Sequence, residues 1–202
     1  MLLDKNPELI LDNAFRSIEN GFRQKNPNIT LYSDPFHKIE FISRLIDSIE
    51  IPIIFIDMDL LYTGYVESNM IQKKDNVEIF SVNETNWKEK LSEIIANISK
   101  EKCMIVIDSL NGIYNLLDSL EFVRSINSII MLLSDIGNQV GSTIIITAMA
   151  RKKENHEWIL LPGGKHIMKS EKTGVYFLKK STNGLVIDIL EKTSVARKNR
   201  IS

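Results

Sequence analysis

The sequence predicts an α/β fold, a mostly parallel sheet flanked by helices and extended by a C-terminal antiparallel β-hairpin. Three observations predict it. The apolar, β-branched runs IPIIFID, CMIVID and STIIIT have the composition of strands buried on both faces of a parallel sheet. Between the strands lie stretches with apolar residues at steps of three and four, and strands alternating with helices of that kind imply right-handed βαβ units. The chain then closes on GVYFLKK and GLVIDILEK joined by STNG, which is the pattern of a hairpin.

Taken in order, residues 8–21 pattern as a helix through Leu9, Ile10, Ala14 and Ile18, followed by a polar NPN turn and the strand ITLYS. A helix follows with Phe41, Ile42, Leu45 and Ile46 on one side. The strand at 51–57 ends in acid, and VEIFSV (77–82) is another short strand. A helix begins near Asn83 or Thr85, carries Trp87, Leu91, Ile94, Ile95 and Ile98 at helical spacing, and leads into the strand at 103–108. Residues 120–137 form a further helix (Val123, Ile126, Ile130, Leu133), and 142–147 a fourth buried strand. In the hairpin, Val175 and Phe177 alternate with polar positions, and Asn183-Gly184 suits a primed turn.

With 202 residues and 44% hydrophobic composition the chain has material for a substantial core. Without repeats, low-complexity stretches or a Pro/Gly-rich linker, it reads as one domain over 1–202. This divides into an N-terminal helix and turn (1–28), a parallel core (29–149) and a basic segment (150–202). No apolar run approaches the roughly 20 residues that span a bilayer, and the start MLLDKNPELILDN lacks the layout of a signal peptide. A cytoplasmic protein without a membrane partner is expected. The single cysteine, Cys103, excludes an internal disulfide and reads as a core residue. Charge is unevenly spread: residues 1–149 carry 13 Lys and Arg against 21 Asp and Glu, whereas residues 150–202 carry 12 against 5. Such a basic segment suits nucleic acid or an acidic partner surface.

Ligands of open α/β sheets bind beyond the carboxyl ends of the strands. The first such turn, Ser33-Asp34-Pro35-Phe36-His37-Lys38-Ile39, stands where a phosphate-binding loop G-x-x-x-x-G-K-[ST] would be. It has no glycine to let backbone N–H groups converge on phosphate. Pro35 has no N–H, Asp34 repels phosphate, and Ile39 replaces the metal-binding hydroxyl. Lys38 alone is retained. Asp108, followed by Ser109, ends an apolar strand in the form of a Walker B acid. IPIIFIDMD places Asp57 and Asp59 at the same edge, and Thr147 stands where a polar side chain can sense bound phosphate. His37, His156 and His166 are too scattered for a metal cluster, so no metal site is expected. No G-x-S-x-G elbow is present, which excludes a serine hydrolase of that kind.

The succession ITLYSDPFHKIEFISRL, PIIFIDMD, MIVIDSLNGIY, a long helix, STIIITAMARKK, LLPGGKHIMKSEKTGVYFLKK and VIDILEKTSVARKNR resembles the ATPase core of the RecA/RadA recombinase superfamily, over nearly the whole chain from about Ile29. The resemblance implies a three-layer RecA-like core. Asp108 would be the Walker B acid, and Asp59 would stand where the family's catalytic glutamate ends the second strand; both are vestigial candidates. Segments 111–119 and 150–162 would be the two loops lining the DNA path, and Gly163-Gly164-Lys165, Tyr176–Lys180 and Lys192–Arg200 match the family's closing layout. The phosphate loop departs from the family's pattern. The expectation is therefore a degenerate paralogue that does not hydrolyse ATP alone, with no resident cofactor. Should ATP and magnesium bind, Lys38, Asp108 and Thr147 are the residues to hold them.

The implied partners are single-stranded DNA and/or a RecA/RadA-type recombinase, in a homo- or hetero-oligomer of such subunits. Arg151, Lys152, Lys153, Lys165 and Lys169 would contact phosphates, and Trp158 would stack on a base. Alternatively, Arg151 or its neighbours would reach the ATP site of an adjacent catalytic subunit, or these are solvated lysines and Trp158 packs on a hairpin. The corresponding functions are an accessory protein of DNA recombination and repair, a structural subunit of a ring like the Elongator accessory subunits or a KaiC-type regulator, and an ATPase with an atypical phosphate loop.

Overall fold

The computed structural model describes residue 22 and residues 25–83, 85–116, 120–154, 156–161, 171–182 and 184–190; for 114–116 and 120–127 it describes the backbone alone. The predicted N-terminal helix, Asn183, Gly163-Gly164-Lys165, Lys169 and Lys192–Arg200 lie outside the described residues.

The elements in chain order are β1 (Asn28–Tyr32), α1 (Pro35–Ser48), β2 (Ile53–Asp57), α2 (Leu61–Glu67), β3 (Val77–Ser81), α3 (Trp87–Ile98) and β4 (Met104–Asp108). There follow α4 (Leu110–Leu116), α5 (Leu120–Val140), β5 (Thr143–Lys152), β6 (Trp158–Leu160), β7 (Gly174–Ser181) and β8 (Gly184–Ile189). The fold is α/β, with one mixed sheet in the order β3-β2-β4-β5-β1-β7-β8 and β6 paired to β5. Pairings among β1 to β5 and β7 are parallel; β5–β6 and β7–β8 are antiparallel.

Strand side chains alternate between two buried layers, as a sheet covered on both faces requires. Ile53, Phe55, Met104, Val106 and Ile145 pack with Phe41, Ile42, Leu45 and Ile46 of α1 and Tyr62 of α2. Ile54, Ile56, Ile105, Ile107, Ile144 and Ile146 pack with Ile94 and Ile98 of α3, Ile113 of α4 and Leu133 of α5. Cys103 is buried, as expected of a core residue. At the carboxyl ends the first layer turns polar. Asp57 is in register with Ser81 and Asp108, Thr30 is in register with Thr147 and Tyr176, and Thr147 bonds Asp108. A row of polar residues thus crosses the sheet on the α1 side.

Three expectations need correction, and one helix adds to them. Segment 111–119 is not a loop where it is described, because Asn111–Leu116 continue α4. Segment 150–162 is not an open loop either: Ala150–Lys152 extend β5 and pair with Trp158–Leu160, which bury Ile159 and Leu160. β7 does not alternate simply, since Tyr176 and Leu178 are buried as well as Val175. Their side is covered by Phe22 and α1, so burial on both faces replaces the half-exposed pattern of a free hairpin. The added helix is α2, whose seven residues are too few to show a helical period in the sequence.

Candidate functional site

The site forms where β1, β2 and β4 end. α1 starts directly after β1 because Asp34, extended at φ −128°, ψ 123°, accepts from Phe36 N at 2.9 Å, and Pro35 supplies a first helical residue that needs no hydrogen bond. The N–H groups of His37 and Lys38 donate to the Asp34 carbonyl at 3.1 and 3.3 Å. One turn into the helix, the Lys38 side chain points under the sheet edge and is fully buried.

Its ammonium lies 2.8 Å from Asp59 Oδ2 and 3.0 Å from Asp108 Oδ2, with the Tyr32 ring centroid 5.5 Å away. Ser109 Oγ also donates to Asp59 Oδ2, at 3.0 Å, and Thr147 donates to Asp108 Oδ1. Asp57 accepts through Oδ2 from both Thr63 N (2.7 Å) and Thr63 Oγ1 (2.6 Å), which ties α2 to the end of β2. Oxygens of Asp57, Asp59 and Asp108 all approach within 4.8 Å of one another.

The rest of the DSLNG stretch is scaffolding. Asn111 clamps β5 by accepting from Met149 N at 2.5 Å and donating to Met149 O at 3.2 Å. Gly112 lets α4 approach the segment that carries Asp59: a Cβ there would stand 2.8 Å from Met58 C and O.

Three carboxylates share one ammonium. Burial lowers the affinity of Lys38 for its proton, but Asp108, Tyr32 and Asp59 more than offset it, so the ammonium is held well above its usual range. Asp108 is pushed up to about 7 by burial; Lys38 offsets only part of this, and Asp59 adds to it. Burial likewise raises Asp57, against the two bonds from Thr63. Asp57 Oδ1 is buried without a hydrogen-bond partner.

These residues do not fit a nucleotide and its magnesium. A phosphate cradle needs free amides, a free ammonium and a hydroxyl. Here Phe36, His37 and Lys38 direct their N–H groups at Asp34, the ammonium is held by Asp59 and Asp108, and the residue after the lysine is the buried Ile39. Of the residues assigned to cofactor binding, Lys38, Asp108 and Thr147 are thus brought together, but bonded to one another. Asp59 joins them. Asp57, which the sequence places at the sheet edge without a role, completes a carboxylate cluster that histidine spacing does not reveal; the sequence signal is the D-x-D spacing together with an acid ending another apolar strand.

The basic residues sit elsewhere. Arg151, Lys152 and Lys153 are exposed where β5 and β6 meet, beside the exposed Glu154 and Glu157. Trp158 is half-buried against Phe177, with ring centroids 4.5 Å apart, so it stacks on a protein ring rather than standing free for a base. Lys165 and Lys169 lie outside the described residues.

Fold and site together define an α/β protein whose parallel strands end in a buried lysine–aspartate cluster. Compared with known proteins, the chain matches no family model and no curated protein.

Proposed function

We propose that the chain is a RecA/RadA-like accessory protein of DNA recombination and repair, with a three-layer RecA-like core, that does not hydrolyse ATP and acts by binding single-stranded DNA and/or a catalytic recombinase. The observation that carries this reading is the enclosed ammonium of Lys38. It stands where the resemblance puts the phosphate-binding lysine, yet its charge is spent on Asp59 and Asp108, the two acids that the resemblance assigns to magnesium and catalysis. Catalysis of phosphoryl transfer is nearly all positioning and charge stabilisation, so a site closed on itself leaves binding of partners as the function. The exposed Arg151, Lys152 and Lys153 supply the contact surface. A ring-subunit role without DNA is the second reading, and the packing of Trp158 on Phe177 favours it.

Parallel titration with a fluorescent ATP analogue and with labelled single-stranded DNA, at low and moderate salt, tests the proposal. Expected are no ATP binding and DNA binding that weakens steeply with salt. Replacing Arg151, Lys152 and Lys153 by alanine lowers DNA affinity and flattens the salt slope by up to about three phosphate contacts. ATP binding that depends on Lys38 sinks the accessory reading; an unchanged salt slope in the triple variant removes this surface from DNA contact and leaves the ring-subunit reading.

A further inference from the structure

We propose that the outer edge of β8 pairs with β8 of a second copy of this chain, antiparallel about a two-fold axis at Ile187, so that two sheets join into one. Among the described residues the sheet ends at β8, which pairs with β7 alone. The bond from Leu190 N to Val175 O fixes which groups of β8 face outward. Bonded and non-bonded residues alternate along an antiparallel ladder. With Leu190 bonded to Val175, the register makes Asp188 and Val186 the residues bonded to Phe177 and Lys179. Leu185, Ile187 and Ile189 therefore direct their N–H and C=O groups away from β7. The open edge thus carries three donors and three acceptors, a template for another strand.

Edges that stay single are guarded by lysine, proline, a bulge or another charge. The opposite edge of this sheet follows that rule, since β3 carries the exposed Glu78, which accepts from Asn97. β8 does not follow it. Its sequence GLVIDI has one charge, Asp188, which Lys179 of β7 neutralises, and its last residue, Ile189, is 65% exposed. The strand is its own complement. With Ile187 opposite Ile187 of the second copy, Leu185 of each copy stands opposite Ile189 of the other, and every outward donor meets an outward acceptor. Leu185 and Ile187 belong to the layer under α1, so the side chains that meet form one apolar row, in which Leu185 of the second copy covers Ile189. Asp188 comes opposite Val186, so no like charges face each other. A strand self-complementary in spacing, polarity and charge selects a second copy as its occupant, in an isologous contact. Six residues of strand edge make a small interface, so the dimer is reversible. This pairing goes beyond the accessory role, because it requires neither DNA nor a recombinase.

The test is sedimentation equilibrium of the full chain over a range of concentrations, with and without single-stranded DNA, together with disulfide trapping; Cys103 is buried and leaves the trap to the introduced thiols. A reversible monomer–dimer equilibrium is expected without DNA. Ile189→Pro removes an outward N–H and leaves the bonds to β7 in place. Two hydrogen bonds are then lost per dimer, and the dissociation constant rises at least about tenfold. Ile187→Cys, on the axis, forms an interchain disulfide under mild oxidation, whereas Val186→Cys, which faces Asp188 of the second copy, does not. A chain that sediments as a monomer at every concentration overturns the proposal. So does a dimer that Ile189→Pro leaves as tight as before, or a disulfide that forms in Val186→Cys and not in Ile187→Cys, because either places the contact elsewhere. A dimer found only with DNA overturns it as well, since the DNA then gathers the chains.

Discussion

Replacing Lys38 by methionine separates a structural lysine from a ligand-binding one. The substitution keeps an unbranched apolar stem and removes the ammonium that lies 2.8 Å from Asp59 and 3.0 Å from Asp108. With an effective dielectric constant of about 20, a pair at 3.0 Å is worth roughly 5 kcal/mol before desolvation is counted. Desolvation of the buried ammonium cancels much of two such terms, and the usual net cost of removing one partner from a buried pair is about 3–5 kcal/mol. The loss depends on pH, because the abandoned acids can take up protons instead. Near pH 5 Asp108, with a value pushed up to about 7, is already protonated and the loss is smaller; near pH 8 it reaches its full size. Urea unfolding of both proteins at pH 5, 6, 7 and 8, in the presence of a chelator, measures this directly. Adding Asp108→Asn to the methionine variant restores part of the stability at pH 8. A loss below about 1 kcal/mol that is the same at every pH contradicts the closed cluster, because a lysine kept for an external phosphate costs the free protein little when removed.

Two further outcomes are expected. The native-state value of Asp108, about 7, lies above its unfolded value of 3.8, so between these the folded chain binds more protons than the unfolded chain and stability falls as pH rises through the window. The slope is at most about 1.4 kcal/mol per pH unit for one group, and chemical unfolding in chelator across pH 4–8 reads it; stability that rises over this range refutes the raised value. Gly112→Ala places a Cβ 2.8 Å from the Met58 carbonyl and 3.0 Å from Asp59 N, where only backbone can give way. A loss of about 1–3 kcal/mol is expected from thermal unfolding, with a chemical-shift change at Asp59; an alanine variant as stable as the parent shows that α4 does not press on this segment.

The elements were legible wherever burial is uniform. IIFID, MIVID and the first half of TIIITAMARK are apolar on both sides because helices cover both faces, and that composition can be read without coordinates. Phe41, Ile42, Leu45 and Ile46 declare α1 by their spacing, and all four are buried. Asp34 and Pro35 are hostile to phosphate, and that they cap α1 instead follows from the same chemistry, a carboxylate that accepts from amides and a residue with no amide to satisfy. Where packing partners come from afar, the reading failed. Trp158 has the chemistry either of a base-stacking residue or of one that packs on a hairpin, and only the placement of β7, which puts Phe177 against it, decides for packing. The same holds for Tyr176, which looks solvent-facing until Phe22 and α1 close over it.

Local chemistry, then, was enough for an α/β chain of parallel strands with acids at their ends, a hairpin at its close and a turn unsuited to phosphate. Each of these depends on side-chain periodicity or on residues adjacent in the chain. The destination of Lys38 depends on neither. Asp59 and Asp108 lie far from it in sequence, and they meet it because β5 alone separates β1 from β4 in the sheet while β2 adjoins β4 on the other side. Strand order comes from how helices pack over the whole sheet, so the long-range folding decides that the lysine is spent inside the protein and that three carboxylates are left with one ammonium between them.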